Sequence, residues 1–212
     1  MEPKHFLLIA NGELNCSDFK RVDLAQFTEI VALDGGAVHS FDCGIPPDVI
    51  IGDLDSLPPD YQDKFPQSQF VRKPSQDMND LEKGIIYCID QQADELTILG
   101  MTGGRSDHLL NNFSVLARYD QNIRITVIDQ YARILLLRSD YQFRGKPGQI
   151  VSLIPMGKVK GITTRGLKYA LKDESLEFGI REGLSNVITS SPVSISIKNG
   201  LLLLFIHWPD PL

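Results

Sequence analysis

From residue 4 to about residue 128, short aliphatic or β-branched runs alternate with amphipathic segments. Such an alternation constrains a chain severely, because parallel strands need long crossovers and the crossover helices must cover the sheet. The runs predict strands at His5-Ile9, Glu29-Leu33, Asp48-Ile51, Gln69-Arg72, Glu95-Leu99 and Arg124-Ile128. Helices belong between them. One is expected over residues 78 to 91, with Leu81, Ile85, Cys88 and Ile89 on one face. Another is expected over 106 to 118, with Leu109, Leu110, Phe113 and Leu116 inward and Ser106 as cap.

The turn at the end of each strand matters most for chemistry. These turns are Asn11-Gly12, Asp34-Gly35-Gly36, Gly52-Asp53-Leu54-Asp55, Lys73-Pro74-Ser75-Gln76-Asp77 and Gly100-Met101-Thr102-Gly103-Gly104-Arg105. In an open parallel sheet these strand ends share one edge, where ligands bind. Asp53 and Asp55 can face the same space, and two carboxylates about 4 Å apart repel by roughly 4 kcal/mol at an effective dielectric near 20. A cation or proton between them relieves that repulsion. Oxygen-only ligands favour Mg2+; alternatively, one Asp caps the next helix and the other is solvated.

After about residue 130 the texture changes to strand runs separated by turn residues. The runs are Ala132-Leu137, Ile150-Ile154, Val159-Thr164, Asn186-Thr189, Val193-Ile197 and Leu201-Ile206. They predict a small antiparallel β-sandwich, with a turn at Met156-Gly157 and a hairpin turn at Asn199-Gly200. The expected domains are therefore 1–130 and 131–212.

Composition limits the partners. A net charge of -6 over 212 residues argues against a nucleic-acid or anionic-membrane surface. The longest apolar run, Leu201 to Ile206, is far short of a membrane span, and Phe6 to Ala10 is too short for an export signal. Three widely spaced cysteines, Cys16, Cys43 and Cys88, fit reduced and mostly buried thiols in a cytoplasmic protein. Four scattered histidines make a His/Cys zinc site a poor fit.

A rim holding Asp34, Asp53, Asp55, Asp77, Asp80 and Asp107 would be strongly anionic. Arg72, Lys73, Lys83 and Arg105 supply part of the opposing charge, and a divalent ion would supply the rest. This mixture suits a nucleoside triphosphate with Mg2+. Neither G-x-x-x-x-G-K-[ST] nor G-x-G-x-x-G is present. Gly103-Gly104-Arg105 also reads as a plain loop before a helix, with Asp107 favourable to the dipole and His108 a packed polar residue in preference to a proton-transfer group. Gln76-Asp77-Met78-Asn79-Asp80 also reads as a helix start capped by Asp77 or Asn79.

Four ordered motifs carry a resemblance: Asp34-Gly35-Gly36, Gly52-Asp53-Leu54-Asp55-Ser56, Gln76-Asp77-Met78-Asn79-Asp80-Leu81-Glu82-Lys83 and Gly103-Gly104-Arg105-Ser106-Asp107-His108. Gly166-Leu167-Lys168-Tyr169-Ala170-Leu171 and Gly183-Leu184-Ser185-Asn186 extend it. Together they resemble the thiamine pyrophosphokinase family over nearly the whole chain. With the strand pattern this sets the expected architecture: α/β, with a parallel-sheet Rossmann-like N-terminal domain, helices on both faces, and a C-terminal antiparallel β-sandwich.

The resemblance implies transfer of a pyrophosphoryl group from ATP to the thiamine hydroxyl, giving thiamine diphosphate and AMP, in a homodimer with active sites between subunits. By position it implies Asp53, Asp55 and Asp80 as Mg2+ ligands. Asp34, Gly35, Gly36, Gln76, Lys83 and Arg105 would meet ATP, and Asp107, Ser185 and Asn186 would meet thiamine. Arg105 and Asp107 join the three metal ligands as the catalytic group. Asn79 stands where the family often has Thr. A nucleotide sensor without catalysis and an enzyme for another hydroxyalkyl heterocycle are the rival readings.

Overall fold

The computed structural model describes residues 3–54, 57, 60–74 and 77–209, without the side chains of 61 and 62. Two compact units divide at Gln130 and Tyr131. The first contains strands β1 (His5–Ile9), β2 (Glu29–Leu33), β3 (Val49–Gly52), β4 (Gln69–Arg72), β5 (Glu95–Leu99) and β6 (Arg124–Ile128). Its helices are α1 (Gly36–Asp42), α2 (Tyr61–Lys64), α3 (Asp80–Asp90) and α4 (Ser106–Tyr119).

All the pairings in this unit are parallel, in the order β4-β3-β2-β1-β5-β6. Leu8 stands opposite Val31 on one side and Ile98 on the other. Strand interiors are apolar at consecutive positions because both faces are covered, and Leu7, Leu8, Ile9, Ile50, Ile51, Leu96 and Ile98 are fully buried. Truncating one of these to Ala costs about 2–5 kcal/mol. At the edge, β4 exposes Gln69 and Arg72, polar ends that discourage further pairing.

Helix α3 lays Leu81, Ile85 and Cys88 on the core. It approaches the sheet closely at Gly84, where a Cβ would come within 2.6 Å of the Leu33 side chain. The helix begins at Asp80 rather than residue 78, because Asn79 is its cap: Oδ1 accepts the Glu82 amide at 2.9 Å. Helix α4 departs further from expectation. Ser106 is its first residue rather than its cap, and the preceding Arg105 makes no side-chain capping bond. Leu110 is 67% exposed, whereas Val115 and Leu116 are buried. The expected inward face therefore holds at Leu116, with Leu109 and Phe113 half-buried and Val115 joining it, and fails at Leu110.

The cysteine reading is also corrected. Cys16 and Cys43 form a disulfide, joining the segment after β1 to the C-cap of α1, while Cys88 is a buried thiol. The two residues are 27 positions apart in sequence, with their Cα atoms 5.2 Å apart.

The second unit contains β7 (Ala132–Leu137), β8 (Tyr141–Phe143), β9 (Ile150–Arg165), β10 (Glu174–Glu177), β11 (Gly183–Val187), β12 (Val193–Ser196) and β13 (Asn199–His207). Its pairings are antiparallel. Ile150-Ile154 and Val159-Thr164, expected as separate strands, are one 16-residue strand. Gly157 and Gly161 take φ values of +82° and +67° within it, bending the strand where a turn was expected. The first part of β9 pairs with β13 and β11, and its end pairs with β12, so one strand serves two sheets. Val151, Leu153, Val159, Ile162, Val193, Ile195, Leu202 and Leu204 form the apolar cluster.

Asn199-Gly200 does not close a β12–β13 hairpin. β12 pairs with β8 and β9, whereas β13 pairs with β7 and β9. The glycine, at φ +109°, instead lets the chain pass from one sheet to the other.

Candidate active site

A cavity of about 540 Å³ opens at the C-terminal ends of the parallel strands. Ala10, Asn11 and Gly12 enter it after β1, Asp34 and Gly35 after β2, Asp53 after β3, Asp77 to Leu81 and Lys83 around the start of α3, and Gly100, Met101 and Arg105 after β5. Strand order reverses at β1, with β2 on one side and β5 on the other. Connections diverge at such a point and leave a crevice, the place where open α/β sheets bind ligands.

Asp34 lies at its floor, 4% exposed. The Leu54 amide donates to its Oδ1 at 3.2 Å and Oδ2 at 3.3 Å. Leu54 reaches this position with φ +65°, a left-handed conformation that a leucine adopts only under constraint from its surroundings. Gly52 makes room for the arrangement, since a Cβ there would collide with the Asp34 carboxyl. Burial, a hydrogen bond with Asp53, and the charges of Asp80 and Asp53 push the Asp34 carboxyl up to about 7, and the Leu54 amide only partly opposes them. Acidic groups from three separate loops thus act on one another at this rim.

Asp80 opens α3, where the helix dipole favours an anion. Its Oδ1 accepts from Lys83 Nζ at 2.9 Å, and the Lys83 side chain is only 4% exposed. A buried ammonium costs several kcal/mol of desolvation unless paired, so Asp80 and Lys83 hold each other at the cavity wall. Behind them Glu82, also buried, accepts from Arg118 Nη1 and the Tyr119 hydroxyl of α4, both at 2.8 Å.

Arg105 and Asp107 form a forked pair, Nε to Oδ1 at 3.1 Å and Nη2 to Oδ2 at 2.6 Å. The Arg105 fork holds the Asp107 carboxyl down to about 2, with help from the His108 amide. Both side chains are exposed. Arg105 lines the cavity but Asp107 does not. His108, expected to be packed, is exposed and lines the cavity as well.

The donor set suits a hard cation completed by its substrate. Among the described residues no three His, Cys, Asp or Glu side chains form a group that could hold a metal ion. Mg2+ commonly takes only one or two carboxylates and fills its octahedron with water and phosphate oxygens. Asp53 and Asp80 could supply that pair, beside the buried Asp34 carboxyl.

In the second unit, Asn186 is 4% exposed and borders a cavity of about 330 Å³. Its side chain is committed to the protein. Oδ1 accepts from the Tyr169 and Val187 amides at 3.0 and 2.9 Å, and Nδ2 donates to the Tyr169 carbonyl at 2.8 Å. Asn186 therefore holds Tyr169, which is 61% exposed at the same cavity. Ser185 is exposed, with φ +55°, and its amide donates to Ser152 Oγ at 3.1 Å.

Of the expected site residues, Asp34, Gly35, Asp53, Asp80, Lys83 and Arg105 line the strand-end cavity together. Gly36 lies behind the wall, where a Cβ would collide with the Ile9 carbonyl. Asp55 and Gln76 fall outside the described residues. Sequence reading placed Met101 in a strand-end turn of this rim, but missed Glu82 as a clamp and Asn112 as a cavity wall. A glutamate flanked by helix-facing apolar residues was the one available signal for Glu82; a long-range contact leaves none for Asn112.

Two family models match. "Thiamin pyrophosphokinase, catalytic domain" covers residues 23–127 and "Thiamin pyrophosphokinase, vitamin B1 binding domain" covers 138–202. Thiamine pyrophosphokinase 3 from Oryza sativa subsp. japonica is 32% identical over 91% of this chain and 82% of its own length. Thiamine pyrophosphokinase from Bacillus subtilis is 28% identical over 86% of this chain and 90% of its own. A crystal structure of thiamine pyrophosphokinase from Bacillus subtilis superposes with a TM-score of 0.85 at 25% identity, covering 98% of this chain and all of the other.

Proposed function

The chain belongs to the thiamine pyrophosphokinase family, and from that premise we propose that its strand-end cavity binds ATP with Mg2+ and transfers the pyrophosphoryl group to thiamine. The products are thiamine diphosphate and AMP. One observation carries the reading: Asp34 after β2, Asp53 after β3, Asp80 and Lys83 on α3, and Arg105 before α4 line one cavity at the switch point of a parallel sheet.

The chemistry asks chiefly for position and charge. The thiamine hydroxyl attacks the β-phosphorus in line while AMP leaves, through a transition state that makes little demand for a general base. Asp53, Asp55 and Asp80 would hold Mg2+, which supplies charge neutralisation at the phosphates. Arg105 takes developing negative charge on phosphate oxygens, and Lys83, 2.9 Å from Asp80, orients it. For Arg105 to act in this way, its fork must release Asp107, which is then open to the aminopyrimidine end of thiamine. Gly35, Gly36 and Gln76 belong to the nucleotide side of this reading.

On the second unit, the Rossmann-like catalytic domain is complemented by a β-sandwich that we assign to thiamine. Ser185 and Tyr169 are the proposed contacts, with Asn186 positioning Tyr169. Ile180 and Leu184, 75% and 71% exposed, support a homodimer that covers them. Among the described residues no helix is long and apolar enough to cross a membrane. The reading places the enzyme in the cytoplasm; the Cys16–Cys43 bond withdraws the support that unpaired thiols had lent to it.

The test mixes protein, MgATP and thiamine and measures AMP and thiamine diphosphate by chromatography. Equimolar formation of both is expected. Nucleotide binding without either product would favour a sensor, and product formation only with another hydroxyalkyl heterocycle would reassign the acceptor.

A further inference from the structure

The start of α3 is tied to α4 by a bridge that capping does not require. Asn79 Oδ1 accepts the Glu82 amide at 2.9 Å, which completes the cap. Its other end remains a donor, and Nδ2 gives a hydrogen bond to Asn112 Oδ1 of α4 at 3.3 Å. Asn112 Nδ2 in turn donates to the Met101 carbonyl, in the loop after β5, at 3.1 Å. The two amide orientations fix each other, because reversing either one would set donor against donor or acceptor against acceptor.

Asn79, Asn112 and Met101 all line the strand-end cavity, as do Asp80 and Lys83. Asp80 is the residue immediately after the cap, so its direction follows the orientation of the first turn of α3. Glu82 anchors that turn to α4 from behind through Arg118 and Tyr119. The asparagine bridge anchors it from the cavity side. Ser, Thr, Asp and Asn all cap helices well, yet only Asn joins a carbonyl acceptor to an amide donor that reaches farther than a hydroxyl.

We propose that Asn79 is a positioning residue whose bridge through Asn112 to the Met101 carbonyl orients Asp80 and Lys83 toward the cation and phosphates of MgATP. This rests on the proposed function and deepens it. Position matters steeply here, since a misplacement of about 1 Å in a catalytic group can cost about 10²-fold in rate.

Three variants separate bridge from cap: Asn79→Thr keeps the cap and loses the bridge, Asn79→Ala loses both, and Asn112→Ala loses the bridge from the other side. Initial rates would be measured across Mg2+ concentrations, and calorimetry would follow binding of α,β-methylene-ATP, whose α,β bridge cannot be cleaved, with Mg2+. We expect Asn79→Thr and Asn112→Ala each to lower kcat about tenfold or more, to raise the Mg2+ needed for half-maximal rate, and to leave KM for thiamine unchanged. The double variant Asn79→Thr/Asn112→Ala should be little worse than either single one.

Wild-type kcat and Mg2+ requirement in Asn79→Thr, with a loss confined to Asn79→Ala, would reduce Asn79 to a cap and overturn the proposal. If Asn79→Thr fails to fold, Asn112→Ala decides by the same measures. Should the wild type form no thiamine diphosphate, the proposed function fails separately, and analogue affinity alone then judges the bridge: unchanged affinity in Asn112→Ala overturns it.

Discussion

At the scale of single residues, Asp34 and Lys83 are opposite solutions to burial. Asp34 is an acid pushed up to about 7 from an ordinary value of 3.8, so the metal-free folded chain holds its proton through a range in which the unfolded chain has lost it. Its contribution to stability is therefore complete below about pH 4 and is lost as pH rises through about 7. Urea unfolding of wild type and Asp34→Asn at pH 5 and pH 8, without divalent ions, should show the variant gaining relative stability at pH 8 by on the order of 3 kcal/mol. A difference independent of pH would show that Asp34 titrates as an ordinary carboxyl. Lys83 is instead a buried cation satisfied by Asp80 at 2.9 Å. Lys83→Met should fold and lose about 10²-fold in turnover, the scale of one preorganised charge contact. Near wild-type steady-state rates would leave Lys83 only a structural partner of the helix start.

At the scale of elements, the strand positions were legible because a covered parallel strand is a short apolar run and little else satisfies that pattern. The helix faces were less so. The spacing of Leu109, Leu110, Phe113 and Leu116 suggested an inward face; Leu116 is buried, but α4 also meets α3 through Glu82, Arg118 and Tyr119, and Leu110 is left at 67% exposure. Polar anchoring between helices is invisible to hydrophobic periodicity. Removing it tests its weight: Glu82→Ala should lower unfolding free energy by about 1–3 kcal/mol, since two hydrogen bonds to a buried carboxylate disappear while the half-exposed Arg118 regains water. An unchanged urea midpoint would mean that apolar contact alone docks the two helices. In the second unit the Asn199-Gly200 pair follows hairpin chemistry locally, yet the chain changes sheets there, because β9 already pairs with both β12 and β13.

At the scale of the whole molecule, the strand-end cavity gives binding a stability consequence. A ligand that occupies only the folded chain raises its stability by about 2.7 kcal/mol at one hundred times its dissociation constant. Thermal unfolding with ATP should therefore shift upward when Mg2+ is present and return toward the ligand-free value on chelation. A shift of equal size without any divalent ion would mean that Lys83 and Arg105 alone hold the nucleotide, and that the carboxylates serve another purpose.

The amino-acid order by itself determined where the parallel strands of the first unit run and that carboxylates, glycines and basic residues come directly after them, since burial and turn chemistry act over a few neighbouring residues. It also carried the family, through motifs spread over both halves. Only the tertiary structure decided which of those side chains meet. Arg105 clasps Asp107, Asn186 spends its amide on Tyr169, Asn79 reaches Asn112, and Cys16 bonds Cys43. Each of these depends on the orientation of a side chain within about an ångström, and most join segments far apart in the chain, set by packing that no local pattern encodes.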